Sequence, residues 1–325
     1  MAPSTLLLCT LLLSAMIALV YRHDMRTARM RLLGRSALLA SPHGEIEYAV
    51  AGHGTTDVLV VHGAAGGWDQ AELLAAAILD ERFCWIAPSR FGYLRSSCPS
   101  GASAGDQAHA FAFLLDHLHV NRVAVVAMSA GGPSALLFAA LYPERVSSLT
   151  LLSCGVAASS SEEQSIAHRR GKALARIFRS DLGFWLTTRL FRKSLLRLMG
   201  GHPANVLTHE LDEQQWIDRV LAEMHPASLR VCGVTFDHEA TLPGERITAI
   251  RAPTLIVHAK DDALQLYHNA EFAAANIRHA RLLSFESGGH LIVATERSTI
   301  RAAVEQHILS QCTEAHGATQ HPSAA

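Results

Sequence analysis

The stretch Val123 to Gly132, VAVVAMSAGG, constrains this chain more than any other. A β-branched, apolar run stops at Met128. Ser129 then stands between Ala127 and Gly131, and SALLFAALY continues in helix-compatible fashion. The pattern predicts a strand, a sharp turn and a helix. Such a turn needs small residues around Ser129, because helix and strand approach closely there and the serine is forced into a strained backbone conformation that lifts its hydroxyl clear of the sheet edge. A small-x-Ser-x-Gly string is by itself a weak signal in a chain rich in Ala and Gly. Its position directly after a buried-type strand gives it weight.

With 325 residues, 49% of them apolar, the chain can bury a sizeable core, and the alternation of strand-like and helix-like segments favours one large α/β domain over two small ones. A formal charge of −1 gives no reason to expect a nucleic-acid partner. The six cysteines are scattered, with no CxxC pair, as reduced and mostly buried thiols would be. Nineteen histidines raise the question of a metal, but HExxH is missing and pairs such as His117 and His119 lack Cys or carboxylate ligands nearby. Neither a metal nor any other cofactor is expected.

Pro3 to Tyr21 carries no side-chain charge, and its 19 residues as a helix would reach about 28 Å, close to the ~30 Å hydrocarbon core of a bilayer. A cleaved signal peptide and a buried core helix are the alternatives. Against the first, no Lys or Arg precedes the run and no A-x-A site follows it; against the second, the run is uncharged all round. A retained anchor over residues 1–21 is the expectation. Arg22, Arg26, Arg29, Arg31 and Arg35 follow within a basic linker, 22–43, so the positive-inside rule predicts a single-pass protein with its body in the cytoplasm.

The body is expected over 44–311. EIEYAV (Glu45 to Val50) alternates as a strand, and Val58 to Val61 is a buried strand running into the glycine-rich His62-Gly63-Ala64-Ala65-Gly66-Gly67. Neither GKS/GKT nor GxGxxG spacing is present, which disfavours phosphate binding. The other reading is a loop that turns a backbone N–H toward a substrate carbonyl, where small residues permit close approach. Arg90, Tyr93 and Arg95 sit on the loop after the strand Phe83 to Ala87, with packing as their expected role. Residues 155–246 break the strand and helix alternation and read as an inserted helical cap. Within it, His168 to Met199 sets nine Lys and Arg residues against the single acid Asp181, interleaved with Leu, Phe and Trp. That is either a basic amphipathic surface for anionic lipid or a lid with its apolar side over a pocket and its charges in water, and the two are compatible. PTLIVHA (Pro253 to Ala259) is a strand followed by Lys260-Asp261-Asp262, SGGH (Ser287 to His290) a tight loop after another strand, and 312–325 a small, polar tail expected to be disordered.

HGAAGG, AMSAGG, PTLIVHAKDD and SGGH, taken jointly over roughly Gly44 to Leu309, resemble the α/β-hydrolase family. The chain order Ser129, Asp262, His290, each just after a strand, is the order of that family rather than of the two other serine-protease plans. The fold implied is a mostly parallel, doubly wound sheet with an inserted helical cap. The resemblance makes Ser129 the nucleophile, His290 its base and Asp262 the group that fixes the imidazole tautomer. Asp262 is preferred to Asp261 because the family's acid lies third after the position held here by Ala259. Backbone N–H groups of Ala64 and Ala130 would form the oxyanion hole, and His62 would shape that loop. Ala127 and Ala259 stand where glycines are usual, in each case the smallest change available.

A Ser rather than an Asp nucleophile argues against the dehalogenase and epoxide hydrolase branches. The expected activity is hydrolysis of a carboxylic ester or related acyl substrate, apolar because the cap offers leucines and aromatics but no carboxylate cluster for an amine. Carbon–carbon bond hydrolysis or lyase chemistry on the same triad is the alternative within enzymes. A membrane-tethered binding protein without chemistry is the alternative outside them. The expected partners are a small-molecule substrate and membrane lipid, reached by the N-terminal helix and, as a second contact, the basic cap.

Overall fold

A computed structural model of the chain describes residues 3–200 and 211–317. Eight strands form one sheet: β1 (Ala37–Ser41), β2 (Gly44–Ala51), β3 (Thr56–Val61), β4 (Phe83–Pro88), β5 (Val123–Met128), β6 (Val146–Leu152), β7 (Thr254–Ala259) and β8 (Ala280–Phe285). Their order is β1-β2-β4-β3-β5-β6-β7-β8. The β1–β2 and β2–β4 pairs are antiparallel and all the others parallel.

The central strands read as unbroken apolar runs because both of their faces are covered. Val123, Val125 and Ala127 of β5 face one core layer with α3 (Ala104–His117) and α4 (Gly132–Leu141). Ala124 and Val126 face the other, with α2 (Trp68–Ile78) and the last long helix. Ser103 begins α3 with a capping box, its hydroxyl accepting the Asp106 N–H while the Asp106 carboxylate accepts the Ser103 N–H. This is the doubly wound sheet expected, and it brings the carboxyl ends of β3, β5, β7 and β8 to one edge.

Between β6 and β7 the described residues of the cap form α5 (Glu162–Ile177), α6 (Asp181–Leu190), α7 (Arg192–Leu198), α8 (Leu211–Glu223) and α9 (Val231–Glu239). Phe178, Phe184, Leu195, Leu196 and Met199 turn inward and share one apolar cluster with Ala65, Tyr93 and Leu291 of the body. The cap therefore covers the sheet edge as a lid, while Leu182, Leu190 and Phe191 face outward. After β7 come α10 (His268–Asn276), α11 (Ile292–Thr295) and α12 (Arg297–Gly317).

Three boundaries differ from those read in the sequence. The N-terminal helix α1 runs unbroken from Pro3 to Arg31. Its first part is long and apolar enough to cross a membrane, with a mean hydropathy of 2.2 over its best window. The basic segment that follows is no free linker but the end of the same helix, docked on the cap. Met25 and Ala28 are buried, Asp24 accepts the Trp185 indole N–H at 2.8 Å and pairs with Arg189 at 2.6 Å, and Arg31 pairs with Asp69 at 3.0 Å. Part of the linker is also strand β1, a short edge strand made by its hairpin with β2. At the other end, α12 continues past Gln311 to Gly317, and 318–325 of the expected tail lie outside the described residues.

Candidate active site

Ser129 follows β5 directly and has φ +54°, a conformation that costs a non-glycine residue about 1–3 kcal/mol and persists only where its surroundings enforce it. The surroundings are tight. A Cβ on Gly131 would lie 2.6 Å from the His62 carbonyl oxygen and 2.8 Å from that of Val61, and one on Gly132 would lie 2.6 Å from Cys154 Cβ. Ala127, in contrast, is an ordinary buried strand residue paired with Val61 and Leu151, so the alanine at this position is accommodated. Ala259 likewise closes β7 as a buried strand residue.

The loops after β7 and β8 bring the other two residues to Ser129. His290 Nε2 lies 2.8 Å from Ser129 Oγ, and His290 Nδ1 lies 2.8 Å from Asp262 Oδ2. With an ionised Asp262 the ring proton sits on Nδ1, which leaves Nε2 free to accept the serine hydroxyl. Burial pushes the Asp262 carboxyl upward, but the charge and hydrogen bond of His290, the charge of His258 and the Leu264 N–H outweigh it and hold the group below the usual carboxylate range. Its second oxygen accepts N–H groups from Leu264 at 2.9 Å and Gln265 at 3.0 Å. Asp261 turns elsewhere, accepting the Gly289 N–H at 2.8 Å. The cap touches the histidine itself, since His290 N–H donates to the Gly200 carbonyl at 3.1 Å.

Ala130 is the second residue of the 3-10 turn Ser129–Gly131, and Ala64 is exposed on the loop after β3. That loop lies against the elbow: a Cβ on Gly63 would stand 3.1 Å from Ser129 Cβ. His62 is buried within it. Its Nε2 accepts the Arg90 N–H at 2.9 Å, so the proton sits on Nδ1, which donates to the Gly63 carbonyl at 2.7 Å. Burial, then the nearby Arg90 charge, keeps its pKa well below 6.5, consistent with a neutral ring that shapes the loop.

Arg90 and Tyr93 do more than pack their own loop. Both are fully buried, and both reach Asp237 of α9, Arg90 through a two-pronged pair at 2.5 and 2.8 Å and the Tyr93 hydroxyl at 2.5 Å. Asp237, Arg230 and Asp69 went unrecognised in the sequence. The available signal was an acid within the apolar VCGVTFDHE. Arg95 does pack as expected, against buried Glu47 at 2.8 Å. Beside Ala130 lies a cavity of about 50 Å³, lined in part by Pro133, Phe236 and Leu242.

The family model for the alpha/beta hydrolase fold matches residues 57–296. The chain is 31% identical over 259 residues to a Bacillus subtilis protein described as uncharacterized hydrolase YcgS, covering 77% of this chain and 89% of that one. It is 26% identical over 263 residues to the 2-hydroxy-6-oxononadienedioate/2-hydroxy-6-oxononatrienedioate hydrolase of Paraburkholderia xenovorans, covering 76% of this chain and 84% of the relative. Among solved structures, a membrane phospholipase A described as a bacterial virulence factor superposes with a TM-score of 0.68 at 22% identity, over 95% of this chain and 98% of the other. At that identity the likeness is one of fold.

Proposed function

The chain belongs to the α/β-hydrolase fold family, and we propose that within it the protein is a serine hydrolase that cleaves an apolar carboxylic ester through an acyl-enzyme. The observation that carries this reading is the buried hydrogen-bonded chain from Ser129 through His290 to Asp262, built on a serine with positive φ. Ser129 Oγ attacks the acyl carbon as His290 Nε2 takes its proton, and the developing oxyanion meets the N–H groups of Ala64 and Ala130. His290 returns the proton to the departing alkoxide, which leaves as the alcohol. Water, deprotonated by the same nitrogen, then releases the acid and restores Ser129. The apolar layer of the cap over the site supports an apolar acyl group.

The relative from Paraburkholderia favours a second reading, carbon–carbon bond hydrolysis on the same residues. A serine-directed phosphonate should label the wild type and not Ser129→Ala, and a panel of esters of increasing chain length should be turned over by the wild type alone. Labelling without turnover of any ester would shift the reading to carbon–carbon cleavage. Labelling retained in Ser129→Ala would sink the serine assignment.

α1 supports the further reading of a single-pass anchor, with Arg22 and Arg26 exposed just beyond the apolar run and the body on the cytoplasmic side.

A further inference from the structure

We infer that the cap helix α9 holds the oxyanion loop in its working conformation through Asp237, which anchors Arg90 and Tyr93 as positioning residues. The inference rests on the acyl-transfer reading above and concerns the peptide that joins Gly63 to Ala64.

In a trans peptide the carbonyl and the following N–H point in opposite directions, so whatever fixes the Gly63 carbonyl also fixes the direction of the Ala64 N–H. The Gly63 carbonyl is held twice, by His62 Nδ1 at 2.7 Å and by Arg90 Nη2 at 3.2 Å. Arg90 Nε takes the preceding carbonyl, that of His62, at 2.9 Å, and the Arg90 backbone N–H sets the His62 tautomer that makes Nδ1 a donor. One arginine thus secures two successive carbonyls and the proton on the ring between them.

The next residue, Ala65, has φ +57° and packs in the apolar cluster that holds Tyr93. A loop with this geometry relaxes unless it is tied. Both ties lead to one carboxylate, since Asp237 receives Arg90 Nη1 and Nη2 and the Tyr93 hydroxyl. The other end of α9 grips the far side of the same loop. Arg230, fully buried, donates to the Gly66 carbonyl and pairs with Asp69 at 2.7 Å. The sheet edge supplies the elbow, and the cap supplies the restraint on the opposing donor.

The test compares Asp237→Asn and Tyr93→Phe with the wild type, using p-nitrophenyl butyrate as the ester and an alkyl trifluoromethyl ketone as the probe whose Ser129 adduct places an oxyanion in the hole. Removing one oxyanion donor typically costs 10²–10³ in turnover, so partial loss of its alignment should lower kcat about 10- to 100-fold in Asp237→Asn and about tenfold in Tyr93→Phe. KM should stay within about threefold, and the ketone inhibition constant should rise in step with the fall in kcat/KM. That proportionality is a readout which a purely structural role would not produce. Thermal unfolding shows whether each variant is folded, and Tyr93→Phe carries the test if Asp237→Asn is not. Folded variants with unchanged kcat and ketone affinity, or with a raised KM alone, would overturn the inference. A wild type that neither turns over the ester nor forms the ketone adduct would instead overturn the serine reading, and this inference with it.

Discussion

Asp261 and Asp262 are neighbours in the chain and hold His290 by different handles: Asp262 meets its ring nitrogen at 2.8 Å, while Asp261 receives the N–H of Gly289, the residue before it, at 2.8 Å. The second contact matters because Gly288 and Gly289 have φ of +133° and +58°, a turn that needs fixing if the ring is to stay aimed at Ser129.

Asp262→Asn would offer the ring an amide in place of a carboxylate and favour the wrong tautomer, a change worth about 10⁴ in turnover in serine proteases of similar design. Asp261→Asn keeps one acceptor for the Gly289 N–H and should cost about tenfold or less, on the scale of a single neutral hydrogen bond. Steady-state turnover of a p-nitrophenyl ester by the two variants checks the ranking. The opposite order would move the acid by one residue.

The three side chains proposed to carry the chemistry were legible in the sequence because each follows a strand whose apolar run is unmistakable, and because a tight elbow can be built from few residue types. Chain order together with the family's spacing after Ala259 singled out Ser129, Asp262 and His290, and the structure brings these three side chains within hydrogen-bond distance of one another. Asp237 did not, because a carboxylate in a cap helix looks like any solvated acid until its partners are known, and these lie on a loop 144 to 147 positions away. The same reason hid the docking of α1. Arg31 reads as one charge in a basic cluster, yet it is ordered by Asp69 and by the carbonyls of Glu223 and His225, all distant in sequence. Strand β1 escaped because five residues at a sheet edge, three of them exposed, carry little periodicity of their own.

The docked end of α1 sharpens what truncation should do. Deleting 1–21 removes the apolar run but keeps Asp24 and Arg31, the residues that hold the helix to the cap and to α2. The shortened protein should leave membranes under mild salt and retain ester turnover, because the cap contacts survive. Protease added to sealed inverted vesicles carrying the full chain should digest the catalytic body. Protection of the body, together with a mature N-terminus beyond Tyr21, would refute the cytoplasmic, single-pass reading.

His225 makes that junction sensitive to acid. It lines the space between α1 and the cap, its ring centroid lies 4.6 Å from that of Phe184, its carbonyl accepts from Arg31, and its Nδ1 has no hydrogen-bond partner among the described residues. Burial lowers its pKa from 6.5 to about 4, with the charges of Arg230 and Arg31 acting the same way and Asp181 and Asp24 opposing. The folded protein therefore refuses a proton that the unfolded chain takes up below about pH 6.5. Stability from the neutral ring is complete above that value, falls as the pH drops from about 6.5 toward 4, and changes no further below it. Between about pH 7.5 and pH 5 the loss should be about 2 kcal/mol, at 1.36 kcal/mol per unit below the unfolded value. His225→Gln cannot take up this proton, so its unfolding midpoint should fall less than that of the wild type over the same interval. Parallel curves for the two proteins would show that His225 is not buried in its neutral form.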